Sequence, residues 1–382
     1  MEAVAATKRS LPANALEYLK QRLAGMHPAY FAMAMATGIV SLAAHQLGLD
    51  AFARLLLWLN LPVYLFIWIA FLLRAAMFPA RVAADLQSHQ RGPGFFTAVA
   101  ATSVVGTQCV VLLDNTLVAM VLWWLALLLW FVLTCTIFVL LSVKEEKPTL
   151  AEGINGGWLL AVVAPQSLVV LGSALGPGLL VEADITQFTL ISLWLCGGML
   201  YIWMIALIFF RYMFFKFAPS DLMPPYWINM GAVAISTLAG AKLALIGEAS
   251  PLLAPMLPFI KGLTLMFWAT ATWWIPILVI LGVWRHRVRG FGFRYDPLYW
   301  GLVFPLGMYS VCTFQLARVL ETPFLLGISR IFVALALVAW VLTFFGFLAR
   351  LVYVILLALR PAASPELRLQ AGMASTQSGR LS

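Results

Sequence analysis

The sequence predicts an all-α integral membrane protein: ten transmembrane helices forming five parallel-repeat helical hairpins around a central pore. Three observations predict it. Of 382 residues, 63% are hydrophobic and only 10% charged, and the mean hydropathy of +0.96 exceeds what a water-facing surface sustains. Apolar runs of the roughly 20 residues that cross a bilayer recur ten times. Lysine and arginine gather at alternate ends of those runs, as they do where alternate loops face the cytoplasm.

Taken in order, residues 1–28 form a cytoplasmic N-terminal segment without the basic, apolar, small-residue pattern of a cleavable signal. Within it, Pro12 to Ala24 reads as a short amphipathic helix, Leu and Tyr set against Glu17, Lys20 and Arg22. The transmembrane domain spans 29–355. Crossing 1 (29–47) carries TGIVSLA, crossing 2 (55–75) closes at Arg74, and crossing 3 (95–113) carries TSVVGTQC. Crossing 4 (116–142) is the aliphatic-aromatic run VLWWLALLLWFVL, crossing 5 (157–175) holds APQSLVVLGS, and crossing 6 (188–215) holds YIWMIALIFF. Crossings 7 (227–246), 8 (258–283), 9 (299–319) and 10 (324–350) complete the set, with ISTLAGAK in the seventh and FPLGMYSVCT in the ninth. Residues 356–382, rich in Ala, Ser, Gln and Gly from Pro361 on, read as a disordered cytoplasmic tail.

With the N-terminus inside, 19 of the 24 basic residues fall on the cytoplasmic side, Arg285, Arg287, Arg289 and Arg294 among them, so both termini face the cytoplasm. The even crossings end on Arg74, Lys144, Arg211, Arg285 and Arg350, spaced by 70, 67, 74 and 65 residues. The odd crossings carry Gly38, Gly106, Gly172, Gly240 and Gly307, spaced by 68, 66, 68 and 67. One hairpin is therefore the repeating unit. Small and polar residues concentrate in the odd crossings and large apolar ones in the even, which places an inner ring of five within an outer ring of five.

An inner ring of that kind can enclose a pore, with the five glycines, Pro165 and Pro305 on its lining or at its kinks. No acidic residue lies centrally in a crossing, whereas Lys242, Lys261, Arg318 and Arg330 sit at the outer ends of crossings 7 to 10. That side should avoid positive charge, so attraction of anions competes with snorkelling as their purpose. Midplane polar candidates are amides and hydroxyls: Gln108, Gln166, Ser236 and Thr237. Such donors stabilise an anion without trapping it.

Four isolated histidines, and four cysteines (Cys109, Cys135, Cys196, Cys312) without paired spacing, supply no metal, haem or disulfide framework. No cofactor is expected, and a membrane-embedded enzyme lacks its reactive groups. The formal charge of +9 is spread over helix ends, without the basic patch of a nucleic-acid partner. Small inorganic or organic anions and the lipid bilayer are the partners expected, in the plasma (inner) membrane. Multidrug or tellurite-resistance efflux is the alternative.

The segments HPAYFAMAMATGIVSLA at 27–43, WINMGAVAISTLAGAK at 227–242 and YWGLVFPLGMYSVCTFQLARVLETPFL at 299–325 resemble the tellurite-resistance/dicarboxylate transporter family. That family includes fungal malate permeases, sulfite efflux pumps and plant guard-cell slow anion channels. The resemblance implies a pore within each protomer lined by the odd helices, a homotrimer, and a phenylalanine on the ninth helix that plugs the pore. Phe304, beside Pro305, is the matching residue. Malate, other C4-dicarboxylates, sulfite and further oxyanions are the substrates it implies. Where a malate-permease-like pattern reads TIRLG, this chain reads CTFQLARVL, with Gln315 where a basic residue is expected.

Overall fold

A computed structural model describes residues 15–292 and 295–358. Arg294, residues 12–14 of the amphipathic stretch and the tail beyond 358 lie outside the described residues. Among those described, ten helices are long and apolar enough to cross a membrane. They are span 1 (Pro28–Gln46), span 2 (Asp50–Met77), span 3 (Gly92–Leu113), span 4 (Thr116–Val143) and span 5 (Gly156–Leu175). Span 6 (Ala183–Phe214), span 7 (Pro224–Gly247), span 8 (Ala254–Val288), span 9 (Pro297–Val319) and span 10 (Pro323–Leu356) follow. A surface helix, Ala15–Ala24, precedes them.

Burial separates the two sets. In the apolar windows of the odd spans 89, 78, 83, 83 and 83% of residues are buried, against 28, 17, 44, 22 and 17% in the even spans. Each odd span packs on the next, 1 on 3, 3 on 5, 5 on 7 and 7 on 9, and span 9 returns to span 1. Each even span lies against its own odd partner and the following odd span. The result is a closed inner ring sheathed by an outer ring, consistent with the hairpin as repeating unit. Small residues let inner backbones approach, and the leucines, phenylalanines and tryptophans of the even spans are left for the acyl chains.

The spans also differ in length. The odd spans have 19 to 24 residues and the even ones 28 to 35. At 1.5 Å per residue the former roughly match the hydrocarbon core, while the latter exceed it by about 10 to 20 Å and must tilt or emerge. Boundaries expected at 188, 258 and 324 move outward for this reason: the even helices continue through the interface.

Every odd span begins with a 3-10 turn: Pro28–Phe31, Gly92–Phe95, Gly156–Leu159, Pro224–Trp227 and Pro297–Tyr299. Proline or glycine opens each one and an aromatic residue follows. The five turns touch in sequence and the fifth meets the first, so a collar closes the ring at the end where the odd spans begin. At one joint a β-carbon on Gly156 would strike the Pro225 and Tyr226 backbone, which explains a glycine there.

Tryptophans tie the two rings. The indole N–H of Trp123 donates to the Leu168 carbonyl at 3.0 Å, that of Trp194 to the Ser236 carbonyl at 2.9 Å, that of Trp268 to Thr313 Oγ1 at 3.0 Å, and that of Trp340 to Thr37 Oγ1 at 3.0 Å. In each case an even span reaches the next odd span, a side-chain echo of the hairpin repeat. Within the bilayer such bonds contribute about 0.6 kcal/mol each.

Candidate functional site: a cavity on the ring axis

A cavity of about 50 Å³ lies where all five odd spans converge. Ile39, Leu42 and Gln46 line it from span 1, and Ser103, Val104, Thr107 and Val111 from span 3. Ser167 and Val170 come from span 5, Ile235, Leu238 and Lys242 from span 7, and Met308 and Val311 from span 9. The spacings of three, four and seven residues are those of single helix faces. A space of this size holds a few water molecules or one small ion.

Lys242 is the charged group on this wall. Arg318 lies within electrostatic reach of it but is itself exposed. The hydroxyls of Thr107 and Ser167 are committed, donating to the Ser103 and Ala164 carbonyls. Ser103 Oγ is buried without a hydrogen-bond partner, so its proton is available to an occupant of the cavity. An apolar chamber with one ammonium and one free hydroxyl donor is chemically suited to a small anion.

One helical turn toward the collar from Ile39, Val104, Ser167, Ile235 and Met308 come Met35, Ala100, Val163, Gly231 and Phe304, all buried. Phe304 is 1% exposed. A β-carbon on Gly231 would lie 2.7 Å from Pro305 Cγ, so this glycine seats the proline beside Phe304. Below this layer lies the collar.

The other residues singled out from sequence are placed as follows. Gly38, Gly106, Gly172, Gly240 and Gly307 are absent from the cavity wall and sit between helices. Gly38 abuts Asn60, Val104 and Gln108; Gly106 abuts Leu171 and Leu122; Gly172 abuts Leu190 and Trp123; Gly240 abuts Thr264 and Trp194; Gly307 abuts Ile39 and Val40. Their missing side chains permit close helix contact. Pro165 and Pro305 lie near mid-span, yet the helices Leu160–Leu175 and Trp300–Val319 run through them unbroken.

Lys261 pairs with Glu248 at 3.8 Å, and Arg330 is exposed on span 10, so neither joins Lys242 at the cavity. The midplane hydroxyls are spent within their own helices and each midplane amide is engaged through one atom, Gln108 Nε2 and Gln166 Oε1 being buried without a partner. Asn60 Nδ2 donates to Gln108 Oε1 at 2.8 Å, Gln166 Nε2 donates to the Trp194 carbonyl at 3.0 Å, and Ser236 and Thr237 donate to carbonyls of their own helix. Gln46, Ser103, Thr107 and Ser167 are the polar wall residues that the sequence reading did not single out. A Ser103, Thr107, Val111 face at four-residue spacing was the available signal.

At the collar end, Arg74 donates to Asp85 at 2.6 Å and to the Ala24 carbonyl, and Arg91 donates to Asp85 at 2.6 Å and to the Met26 carbonyl. The N-terminal approach to span 1 is thereby fastened to the connection between spans 2 and 3. His27, just before span 1, caps its first turn by accepting from the Ala29 N–H at 3.0 Å. Burial, reinforced by Arg91 and opposed by Asp85, lowers its pKa to about 4.

Residues 25–348 match the SLAC1 family, described as voltage-dependent anion channel. The chain is 36% identical over 152 residues to an uncharacterized membrane protein of Mycobacterium tuberculosis, covering 40% of this chain and 77% of that one. It is 23% identical over 290 residues to an uncharacterized transporter of Methanocaldococcus jannaschii, covering 74% and 82%. It is 24% identical over 343 residues to a sulfite efflux pump of Trichophyton rubrum, covering 84% and 90%.

Proposed function

Because the chain belongs to the voltage-dependent anion channel family, whose members are transporters and channels rather than enzymes, we propose that it passes small oxyanions of the sulfite class along the axis of its inner ring. The observation that carries this reading is the cavity shared by all five odd spans, with Lys242 as its charged group and Ser103 as a free donor. The relative in Trichophyton rubrum is a sulfite efflux pump. The cavity is small, and Gln315 stands one turn outward of Val311 as a neutral amide, so a second carboxylate would find no cation there. Both features favour a compact anion over a C4-dicarboxylate such as malate.

Phe304 is the gate of this reading. It closes the layer between the cavity and the collar, and its displacement joins the two. Lys242, with Arg318 behind it, raises the local anion concentration at the outer side. The remaining assignments form one picture: a domain over 29–355, both termini in the cytoplasm, residence in the plasma (inner) membrane, and a homotrimer of independent pores. A negative-inside potential then drives anions outward.

Purified protein in liposomes, measured with sulfite, nitrate, chloride and malate in turn, tests the proposal. Anion current larger for the three compact ions than for malate is expected, and Phe304→Ala is expected to raise it at least about tenfold, the effect of lowering a barrier by roughly 1.4 kcal/mol. Liposomes no leakier than empty ones with either form would remove the proposal.

A further inference from the structure

An apolar groove of about 1820 Å³ runs down the outside of the ring between spans 2 and 10. These two outer helices both lean on span 1, and the surface helix Ala15–Ala24 touches each of them across the groove's end. Phe66 and Ala70 of span 2 form one wall, and Phe347 and Leu351 of span 10 the other. Met33 and Trp300, from the inner ring, reach its floor. An apolar space of this size facing a bilayer does not stay empty, since unfilled walls forfeit dispersion contacts and water there lacks partners.

The mouth of the groove differs in chemistry. Lys20, Arg22, Arg81 and Arg350 surround it with Glu17 and Asp296, four cations less two carboxylates, an excess of two positive charges. All four cations are exposed, and none is in an ion pair among the described residues. Arg22 stacks on Tyr18 at 5.6 Å and Arg350 on Tyr353 at 5.3 Å, which orients the guanidinium groups at little entropic cost.

A slot apolar along its length and basic at the level of the headgroups matches one molecule that a membrane supplies. We propose that this groove binds an anionic diacyl phospholipid, its acyl chains between Phe66 and Leu351 and its phosphate at Arg22, Arg81 and Arg350. Basic pockets between helices select anionic headgroups on the cytoplasmic side, and the assignment to that leaflet rests on the orientation proposed above. The bound lipid also has a route to the pore. Trp300 on the groove floor precedes Phe304 by four residues in the same helix, so the occupant packs against the span that carries the proposed gate.

Lipid binding is read without any transport assay, so its failure and that of the pore proposal are separable. Full-length protein is incubated with equal phosphatidylglycerol and phosphatidylcholine, exchanged into detergent, and its retained lipid quantified by mass spectrometry. Phosphatidylglycerol is expected to be retained preferentially. Arg81→Gln and Arg350→Gln should each lower its retention about fivefold, the worth of one cation near an anionic lipid. Ala70→Trp, which fills the groove without touching its charge, should displace the lipid while the protein keeps its elution volume. Equal retention of the two lipids overturns the proposal. So does a loss no larger for Arg81→Gln than for Arg330→Gln, an exposed cation away from the groove. Retention that appears only after deletion of residues 359–382 also overturns it, because the chain's own segment would then be the occupant.

Discussion

Lys242 is the residue on which the chemistry of the axis turns. A cation inside the membrane costs several kcal/mol unless something offsets it, and the charged neighbour within reach is Arg318, of the same sign. In the proposed function an anion in the cavity is the partner that removes that cost. Lys242→Gln is therefore expected to weaken apparent anion affinity about tenfold, read as the concentration dependence of current, whereas Arg318→Gln, exposed and screened by salt, changes it less than about threefold. Equal effects of the two substitutions would leave the cavity without a special role. Gly231 acts through shape rather than charge, since it makes the space in which Pro305 sits.

At the level of elements, the 3-10 collar sets the depth and spacing of the inner spans. At the joint of Gly156 with Pro225 and Tyr226 backbone meets backbone, so side-chain repacking cannot relieve an added atom there. Gly156→Ala is expected to cost about 2 kcal/mol or more, lowering the melting temperature in detergent by several degrees. Gly178→Ala, with nothing within 4 Å of the added carbon, should leave it unchanged. The ten spans, their order and the inner-outer division were legible in the sequence, because burial in lipid is written in composition along each helix. The regular glycine series was legible too. A glycine at fixed register marks a close contact, and only the neighbours show whether the contact is with a helix, as for Gly240 beneath Trp194, or with a pore.

For the whole molecule, closure is what counts. Span 10 returns to span 1 through the bond from Trp340 to Thr37, 303 residues apart in the chain, and the N-terminal approach is clamped by the Arg74, Asp85 and Arg91 cluster. His27 sits inside that clamp as a neutral cap. Its pKa is lowered from 6.5 to about 4 in the fold, so the unfolded chain binds the extra proton first as pH falls. The stability it contributes is complete above about pH 6.5 and is lost progressively toward pH 4. A thermal melt of purified protein across that range should show the decline, and His27→Asn, which can still cap but does not titrate, should flatten it.

What the sequence by itself determined was the solvent of this protein, the number of its crossings and which of them lie inside. Each follows from local composition and from the charge at helix ends, and these need no knowledge of neighbours. What only the tertiary structure decided was which polar side chains meet on the axis. Ser103 and Lys242 reach the cavity while Gln108 and Gln166 turn to adjacent helices, because rotation of each helix about its own axis is set by packing with partners on other spans, 48 residues away for Gln108 and 28 for Gln166.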